Sequence, residues 1–267
     1  MKPVSPYRCA LITGASAGLG EEFAIQLAPR VKTLVLVARR ADQLERVAQR
    51  VRSADKGCCV LVFPVDLSSR DARDRFLTDL RGQQSVPDLL VNNAGFGDYG
   101  EFLTADWEKL ELMIRVNIVA LTHLTKALAP GMTERGGAVI NVSSLASTLP
   151  IPDFAVYAAT KAYVSSFSEA LRIELREHRI RVITVCPGPV KTEFGEVSRR
   201  SAESPGMPAK KSFYIPKEQV VAESLKGLDG NVARIYPGRR IGLAAFGISL
   251  VPLRVLRFVM GFRPRRR

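Results

Sequence analysis

Three side chains in the run 143–161, SSLASTLPIPDFAVYAATK, have types and spacing suited to proton chemistry: Ser144, Tyr157 and Lys161. If residues 153–176 are helical, Tyr157 and Lys161 fall one turn apart on one face, which brings an ammonium close to a phenol. Free tyrosine titrates near about pH 10, and a neighbouring cation lowers that value toward the range in which a phenol exchanges protons. Ser144 adds a hydroxyl from the end of the preceding apolar run, GGAVINVSS. That run reads as a buried strand, and its carboxyl end is where a parallel sheet presents ligands. Alone, a Tyr-x3-Lys pair is weak, because many helices carry a core tyrosine and a solvated lysine at that spacing. The case rests on the elements that would hold the trio in place.

The first of these is CALITGASAGLGEEFAIQLA, residues 9–28, which reads as buried strand, glycine-rich turn and amphipathic helix. Gly14, Gly18 and Gly20 allow a tight turn and the approach of a pyrophosphate to backbone N–H groups at the helix amino end. The spacing is TGxxxGxG, with both flanking elements present. Next, TLVLVARR is a β-branched strand ending in Arg39 and Arg40, of which Arg39 is taken as the cofactor residue. An acidic residue near the end of the second strand suits the free ribose diol of NAD, whereas arginine suits a 2′-phosphate. A helix over 41–53 leads to a third strand ending at Asp66, whose carboxylate could accept from an adenine amino group or cap the next helix. A helix over 69–81 and a fourth strand, DLLVNNAGFG, follow. There Asn92 and Asn93 could tie strands together, and Gly95 keeps the backbone close to a cofactor.

Residues 104–132 form a long helical stretch holding Asn117 in an apolar run, where a buried amide must find partners such as a water chain or the backbone of a kinked helix. His123 and His178 receive no role. A sixth strand, RIRVITVCPGPVKT, is stopped by Pro187 and Gly188, and Thr192 just beyond offers a hydroxyl and an N–H to a carboxamide or phosphate. Residues 193–215 are polar and punctuated by glycine and proline, the composition of a lid. A helix over 216–228 and a last strand, NVARIYPG, close the series.

Length suits one large α/β domain, and no internal repeat intervenes in the 267 residues. The formal charge of +13 raises a nucleic-acid partner, but its distribution argues against one: from Asn231 onward there are nine arginines and no acidic residue, so the excess sits in the tail rather than in a folded groove. Cys9, Cys58, Cys59 and Cys186 lie in or beside strand-like runs without metal-ligand or disulfide-framework spacing, as reduced core residues would; no metal site is expected. The amino terminus reaches a strand by Cys9 with no secretory apolar region, so a cytoplasmic location is expected.

TGASAGLG, NNAG, Asn117, Ser144 with Tyr157-x3-Lys161, and PGPVKT occur in one order over residues 7–238, and in this the chain resembles the short-chain dehydrogenase/reductase family. The resemblance implies a Rossmann-type, doubly wound, seven-stranded parallel sheet in a three-layer αβα domain, residues 1–239, followed by an apolar, arginine-rich extension, 240–267. It implies that Tyr157 is the general acid in reduction and the base in oxidation, that Lys161 lowers its pKa and binds the nicotinamide ribose, that Ser144 holds the substrate oxygen and that Asn117 supports a water relay. Cofactor contacts are implied for Gly14, Ser16, Gly18, Leu19, Gly20, Arg39, Asp66, Leu67, Asn93, Ala94, Gly95, Tyr157, Lys161, Pro187, Gly188, Val190 and Thr192. Arg39 matches the NADP(H)-preferring pattern. Ala17, a position often basic in such members, does not, which leaves Arg39 and Ser16 to carry the preference over NAD(H). The ending is similar to the bacterial subgroup near ketoacyl and hydroxysteroid reductases.

The expected activity is hydride transfer between NADP(H) and a hydrophobic ketone, aldehyde or secondary alcohol. The alternative is a noncatalytic NADP(H) sensor or scaffold docking through its basic tail; it would need the glycines and Arg39 but no proton donor. An epimerase or dehydratase fits less well, since the 29 residues after Gly238 leave little room for a larger substrate domain. A homodimer or homotetramer through the long helices 104–132 and 153–176 is the expectation by family analogy. The tail, IGLAAFGISLVPLRVLRFVMGF, is too interrupted by Pro252, Arg254 and Arg257 to span a bilayer comfortably. It suits either a subunit contact or peripheral contact with an anionic inner membrane surface.

Overall fold

Apolar runs alternate with amphipathic stretches, and each pair folds as a β–α unit. They are β1 (Cys9–Thr13), α1 (Gly18–Leu27), β2 (Thr33–Ala38), α2 (Ala41–Ala54), β3 (Cys59–Pro64), α3 (Arg70–Gly82), β4 (Leu89–Asn92), α4 (Trp107–Ile114) and α5 (Leu121–Leu128). The chain continues through β5 (Gly137–Val142), α6 (Ala155–Glu174), β6 (Ile180–Val185), α7 (Phe194–Val197), α8 (Lys217–Asp229), β7 (Arg234–Ile235), α9 (Arg239–Ser249) and α10 (Leu253–Gly261). The computed structural model describes residues 7–83, 86–201 and 211–261.

The seven strands form one parallel sheet in the order β3-β2-β1-β4-β5-β6-β7. Alternate residues of each central strand face opposite ways. Ile12, Leu36, Val91 and Ile140 pack with α1, α2 and α8; Leu11, Val35, Leu90 and Val139 pack with α3, α5 and the end of α6. The spacing makes these helices one-sided: α2, for example, buries Leu44, Val47, Ala48 and Val51 at helical intervals. The chain winds outward from β1 to β3 and returns to β4 beside β1. This reversal opens a crevice at the carboxyl ends of the two strands, the place where doubly wound sheets bind ligands.

The three-layer, seven-stranded expectation holds, with local differences. The helical stretch around Asn117 runs continuously over Trp107–Met132 and is long and apolar enough to cross a membrane. Here it lies on the sheet, with Leu121, Leu124, Leu128 and Met132 in the core. Residues Arg115–Ala120 within it are π-helical, but Asn117 finds its partners in the Phe96 backbone and Thr160 rather than in the backbone of its own helix. α6 begins at Ala155 rather than at Asp153, which adopts a left-handed φ of 59° and so cannot open the helix. β7 pairs over only two residues, because the sequence turns away at Tyr236 and Pro237. Within the expected lid, residues 202–210 lie outside the described residues; the remainder holds α7 and a 3-10 turn at Lys211–Phe213. All four cysteines are free thiols, but Cys59, at the start of the edge strand β3, is exposed rather than core.

Candidate active site

The proton-active side chains meet at the carboxyl ends of β4 and β5. Ser144 follows β5 and caps the 3-10 turn Leu145–Thr148, its Oγ accepting from Ala146 N at 3.1 Å. Tyr157 and Lys161 sit one turn apart in α6, both buried. Lys161 Nζ lies 5.8 Å from the centre of the Tyr157 ring and donates to Val142 O at 2.8 Å. Asn117 is held from three directions: Nδ2 donates to Phe96 O and to Thr160 Oγ1, each at 3.0 Å, and Oδ1 accepts from Phe96 N at 3.2 Å. Thr160 belongs to α6, so Asn117 ties the π-helical turn both to the loop after β4 and to the helix that carries Tyr157.

The electrostatics differ from the expected lowering of Tyr157 by Lys161. Burial pushes the Tyr157 phenol up to about 12, and what opposes that rise is a hydrogen bond with Ser144. Burial likewise pushes Lys161 down to about 8. Desolvation disfavours the charged form of each group, and with Nζ bonded to a strand carbonyl the ammonium does not address the phenol oxygen. Burial therefore drives both groups toward neutrality.

The nucleotide side of the crevice is shaped by what glycine leaves out. Gly14 and Gly18 have φ of 65° and 59°, and a Cβ on Gly20 would stand 2.2 Å from Gly14 O. A Cβ on Gly95 would stand 2.9 Å from Asn117 Oδ1 and 3.3 Å from Lys161 Nζ, so only bare backbone lets these two side chains pack against the loop after β4. Across the crevice Thr192 faces Gly18, and the Val190 backbone bridges to Ile215. Asn93 Nδ2 donates to Thr13 O at 2.9 Å and to Gly14 O at 3.3 Å, which ties β4 to the glycine turn. Asn92, as expected, joins strands: its Nδ2 reaches Asn141 Oδ1 at 2.8 Å and Thr125 Oγ1 at 2.9 Å. Leu19 and Ala94 pack on the core beside this turn. Pro187 O accepts from Leu145 N at 2.9 Å. Gly188 lies under Ile241 of α9.

Three features were missed in the sequence. The first is Arg40. Arg39 is exposed and makes no hydrogen bond or ion pair among the described residues, whereas Arg40 reaches back over the glycine turn. Its Nη2 lies 3.4 Å from Ser16 Oγ and 2.9 Å from Glu193 Oε2. The Arg39-Arg40 doublet was the available signal. The second is Arg73, buried behind the Asp66 loop with Nη1 donating to Leu67 O at 2.6 Å. Asp66 itself accepts from Ser68 N at 2.9 Å and Ser68 Oγ at 2.7 Å, while Ser69 caps α3.

The third is the wall over Tyr157. Its ring stacks on Phe154 at 4.2 Å between centres and meets Phe194 of α7 at 5.4 Å. Phe194 is carried on a segment pinned to the loop after β4: Tyr99 N donates to Ser198 O at 2.8 Å. Beneath it the buried carboxylate of Asp98 takes Arg200 Nη2 at 2.7 Å, Arg200 Nε at 3.0 Å and Lys109 Nζ at 3.1 Å. Burial works against ionising Asp98, but the hydrogen bonds and charges of Arg200 and Lys109 hold its carboxyl below the usual range. No local pattern joins positions so far apart, and only the fold reveals the cluster.

Comparison with known proteins agrees with this architecture. The family model described as short chain dehydrogenase matches residues 8–203. The chain is 32% identical over 201 residues to the very-long-chain 3-oxoacyl-CoA reductase of Homo sapiens, a match covering 73% of this chain and 64% of that protein, so the chain spans less than two thirds of this relative's length. A short-chain dehydrogenase from Sphingobium yanoikuyae in complex with NADPH superposes with a TM-score of 0.79 at 29% identity, over 97% of this chain and 98% of that one. The bulky-bulky ketone specific alcohol dehydrogenase from Comamonas testosteroni gives 0.76 at 26% identity, over 97% and 96%.

Proposed function

We propose that this chain, which belongs to the short-chain dehydrogenase family, is an NADP(H)-dependent oxidoreductase that interconverts a hydrophobic ketone or aldehyde and its alcohol. The observation that carries the proposal is a buried Tyr157, its phenol pushed up to about 12 by burial and hydrogen-bonded to Ser144, under an aromatic wall. The bare backbone of the glycine turn, with Gly14 and Gly18 at left-handed φ and Gly20 tight against Gly14 O, lies at the same end of the sheet, and these residues fit a nicotinamide cofactor. When bound, that cofactor supplies or accepts the hydride. The chain does the rest. Ser144 and Tyr157 hydroxyls hold the carbonyl oxygen, and the Tyr157 O–H gives up its proton as that oxygen becomes an alkoxide. In oxidation the Tyr157 phenolate takes the proton back. Lys161 holds the ribose and adds positive charge beside the phenolate, and Asn117 supports a water path for resupply. Arg39 and Arg40, with Ser16, favour a 2′-phosphate.

Phe154, Phe194 and Ile151 make the substrate side apolar, in keeping with the ketone and long acyl chain named for the similar proteins. Val119, Tyr163 and Ile173, exposed on the π-helical turn and α6, suit a homodimer or homotetramer through those helices. A noncatalytic sensor has no use for the buried Ser144–Tyr157 pair.

The test is NADPH and NADH consumption by the purified protein against medium- and long-chain ketones, aldehydes and 3-ketoacyl thioesters, with Tyr157→Phe alongside. Turnover preferring NADPH and lost in the variant is expected. NADPH binding without turnover across the panel would favour the sensor, and a preference for NADH would overturn the cofactor assignment alone.

A further inference from the structure

Among the described residues, the carboxyl-terminal helices carry a largely exposed apolar surface. One side of α9 is rooted in the protein: Ile241 and Ala245 are buried, and Ile241 fills the space where Gly188 lacks a side chain. The other side is apolar as well. Leu243, Phe246 and Leu250, on one helical face, are 70, 64 and 67% exposed, and in α10 Val255 and Phe258 are 47 and 67% exposed. A helix apolar all round belongs inside something, and an exposed patch of this kind marks an interaction site.

The charges around the patch identify its occupant. Arg239 and Arg240 open α9, Arg254 and Arg257 lie in α10, and the sequence ends in RPRRR; no acidic residue follows Asp229. Arg239, Arg254 and Arg257 make no ion pair among the described residues. A second copy would meet the face with itself, since a two-fold contact pairs like with like, and would set the arginines of α9 and α10 against one another with no carboxylate carried by either helix. An anionic surface with an apolar interior satisfies both features, because Leu and Phe side chains enter the acyl boundary while arginines hold the headgroup phosphates.

We propose that the exposed face of α9 and α10 docks on an anionic lipid bilayer. α9 lies against the Leu145–Thr148 turn that follows Ser144, so docking brings the bilayer to the end of the sheet where the candidate active site lies. The docking does not depend on the catalytic assignment, and its test needs no turnover.

The full chain is sedimented with phosphatidylcholine vesicles containing phosphatidylserine, and with vesicles of phosphatidylcholine alone, at low and high salt. Binding to the anionic vesicles only, weakened by salt, is expected. Arg254→Glu/Arg257→Glu should weaken it at least thirtyfold, at about fivefold for each arginine lost. Arg254→Lys/Arg257→Lys should retain it, and Phe246→Ser/Leu250→Ser should abolish it, with thermal melts confirming that every variant is folded. Equal binding to neutral vesicles, no binding to either, or unchanged binding by the folded Phe246→Ser/Leu250→Ser variant would overturn the proposal. So would loss of a self-association by that variant, seen in sedimentation velocity, without any vesicle binding by the parent chain; the face would then be a subunit contact.

Discussion

Replacing Asp98 by asparagine is expected to unlatch the wall over Tyr157 while leaving the sheet intact. The Asp98 side chain is 1% exposed and balances both Arg200 and Lys109. Removing one partner of a fully buried pair costs about 3–5 kcal/mol, because the surviving charge is left uncompensated. Arg200 and Lys109 are 20 and 25% exposed, so water recovers part of that cost and a value of about 2–3 kcal/mol is reasonable. Spent on local opening, this raises the open population by about thirty- to a hundred-and-sixtyfold. The assay is amide hydrogen exchange, read at residues 194–200 against the amides of β5. Exchange at 194–200 should accelerate by that factor with β5 little changed, and the KM for a carbonyl substrate should rise. Because the carboxyl of Asp98 is held low, the latch contributes fully above the unfolded value of about 3.9 and is lost as pH falls through the lower folded value. The difference between variant and parent should therefore be flat from about pH 5 to 8. Equal acceleration in β5 would mean global destabilisation and refute the latch. So would additive effects of Asp98→Asn and Arg200→Gln in a double-mutant cycle, since interacting partners do not add.

Glu193→Gln frees Arg40 from a half-exposed ion pair worth about 0.2–1 kcal/mol, so the KM for NADPH should fall up to about fivefold with that for NADH unchanged. Arg40→Ala should raise the NADPH value at least about tenfold, as expected for losing a charge-assisted hydrogen bond. Lys161 titrates at about 8 when folded and 10.5 when unfolded, so between those values only the unfolded chain binds the proton, and the penalty for burying the ammonium is relieved as pH rises. Relative to Lys161→Met, the parent should gain about 3 kcal/mol in urea unfolding between pH 7 and 10.5; a constant gap would sink the assignment. Ultraviolet difference titration of ligand-free parent minus Tyr157→Phe should show about 1% phenolate at pH 10, from a phenol at about 12, whereas a midpoint below pH 9 would contradict its burial.

Much of this was legible in the sequence because the signals were local. β-branched runs bounded by glycine or proline gave the strands, and helical spacing put Tyr157 and Lys161 on one face. The glycine turn announced itself by what it omits. Asn117 in an apolar run called for hydrogen-bond partners, and it finds them in Phe96 and Thr160 while its helix is π-helical at that turn. What escaped the sequence depends on distant pairing or on dielectric environment. Asp98 and Arg200 are 102 positions apart, Arg40 and Glu193 are 153, and neither pair leaves a periodic trace. The Lys161 error has a different origin. Spacing correctly placed the ammonium near the phenol, but spacing carries no information about solvent, and burial outweighed proximity.

That outcome bears on the direction of the chemistry. A protein that only needed to bind a nucleotide could leave Tyr157 at its ordinary acidity; this one buries it and raises it to about 12. Such a phenol keeps its proton at neutral pH, yet it is still a far stronger acid than bulk water at about 15.7, the nearest reference for a nascent alkoxide's conjugate acid. Under the proposed function, donation to that alkoxide would run downhill. The reverse step begins from a phenolate, which at pH 7 lies about 7 kcal/mol above the phenol for a group titrating five units higher. Positive charge brought into the closed site would reduce that gap, and Lys161, with a pKa of about 8, is the side chain able to carry it at neutral pH. Tyr157 would thus serve, under the proposed function, as the proton donor in the reductive sense and, once ionised beside Lys161, as the base in the oxidative one.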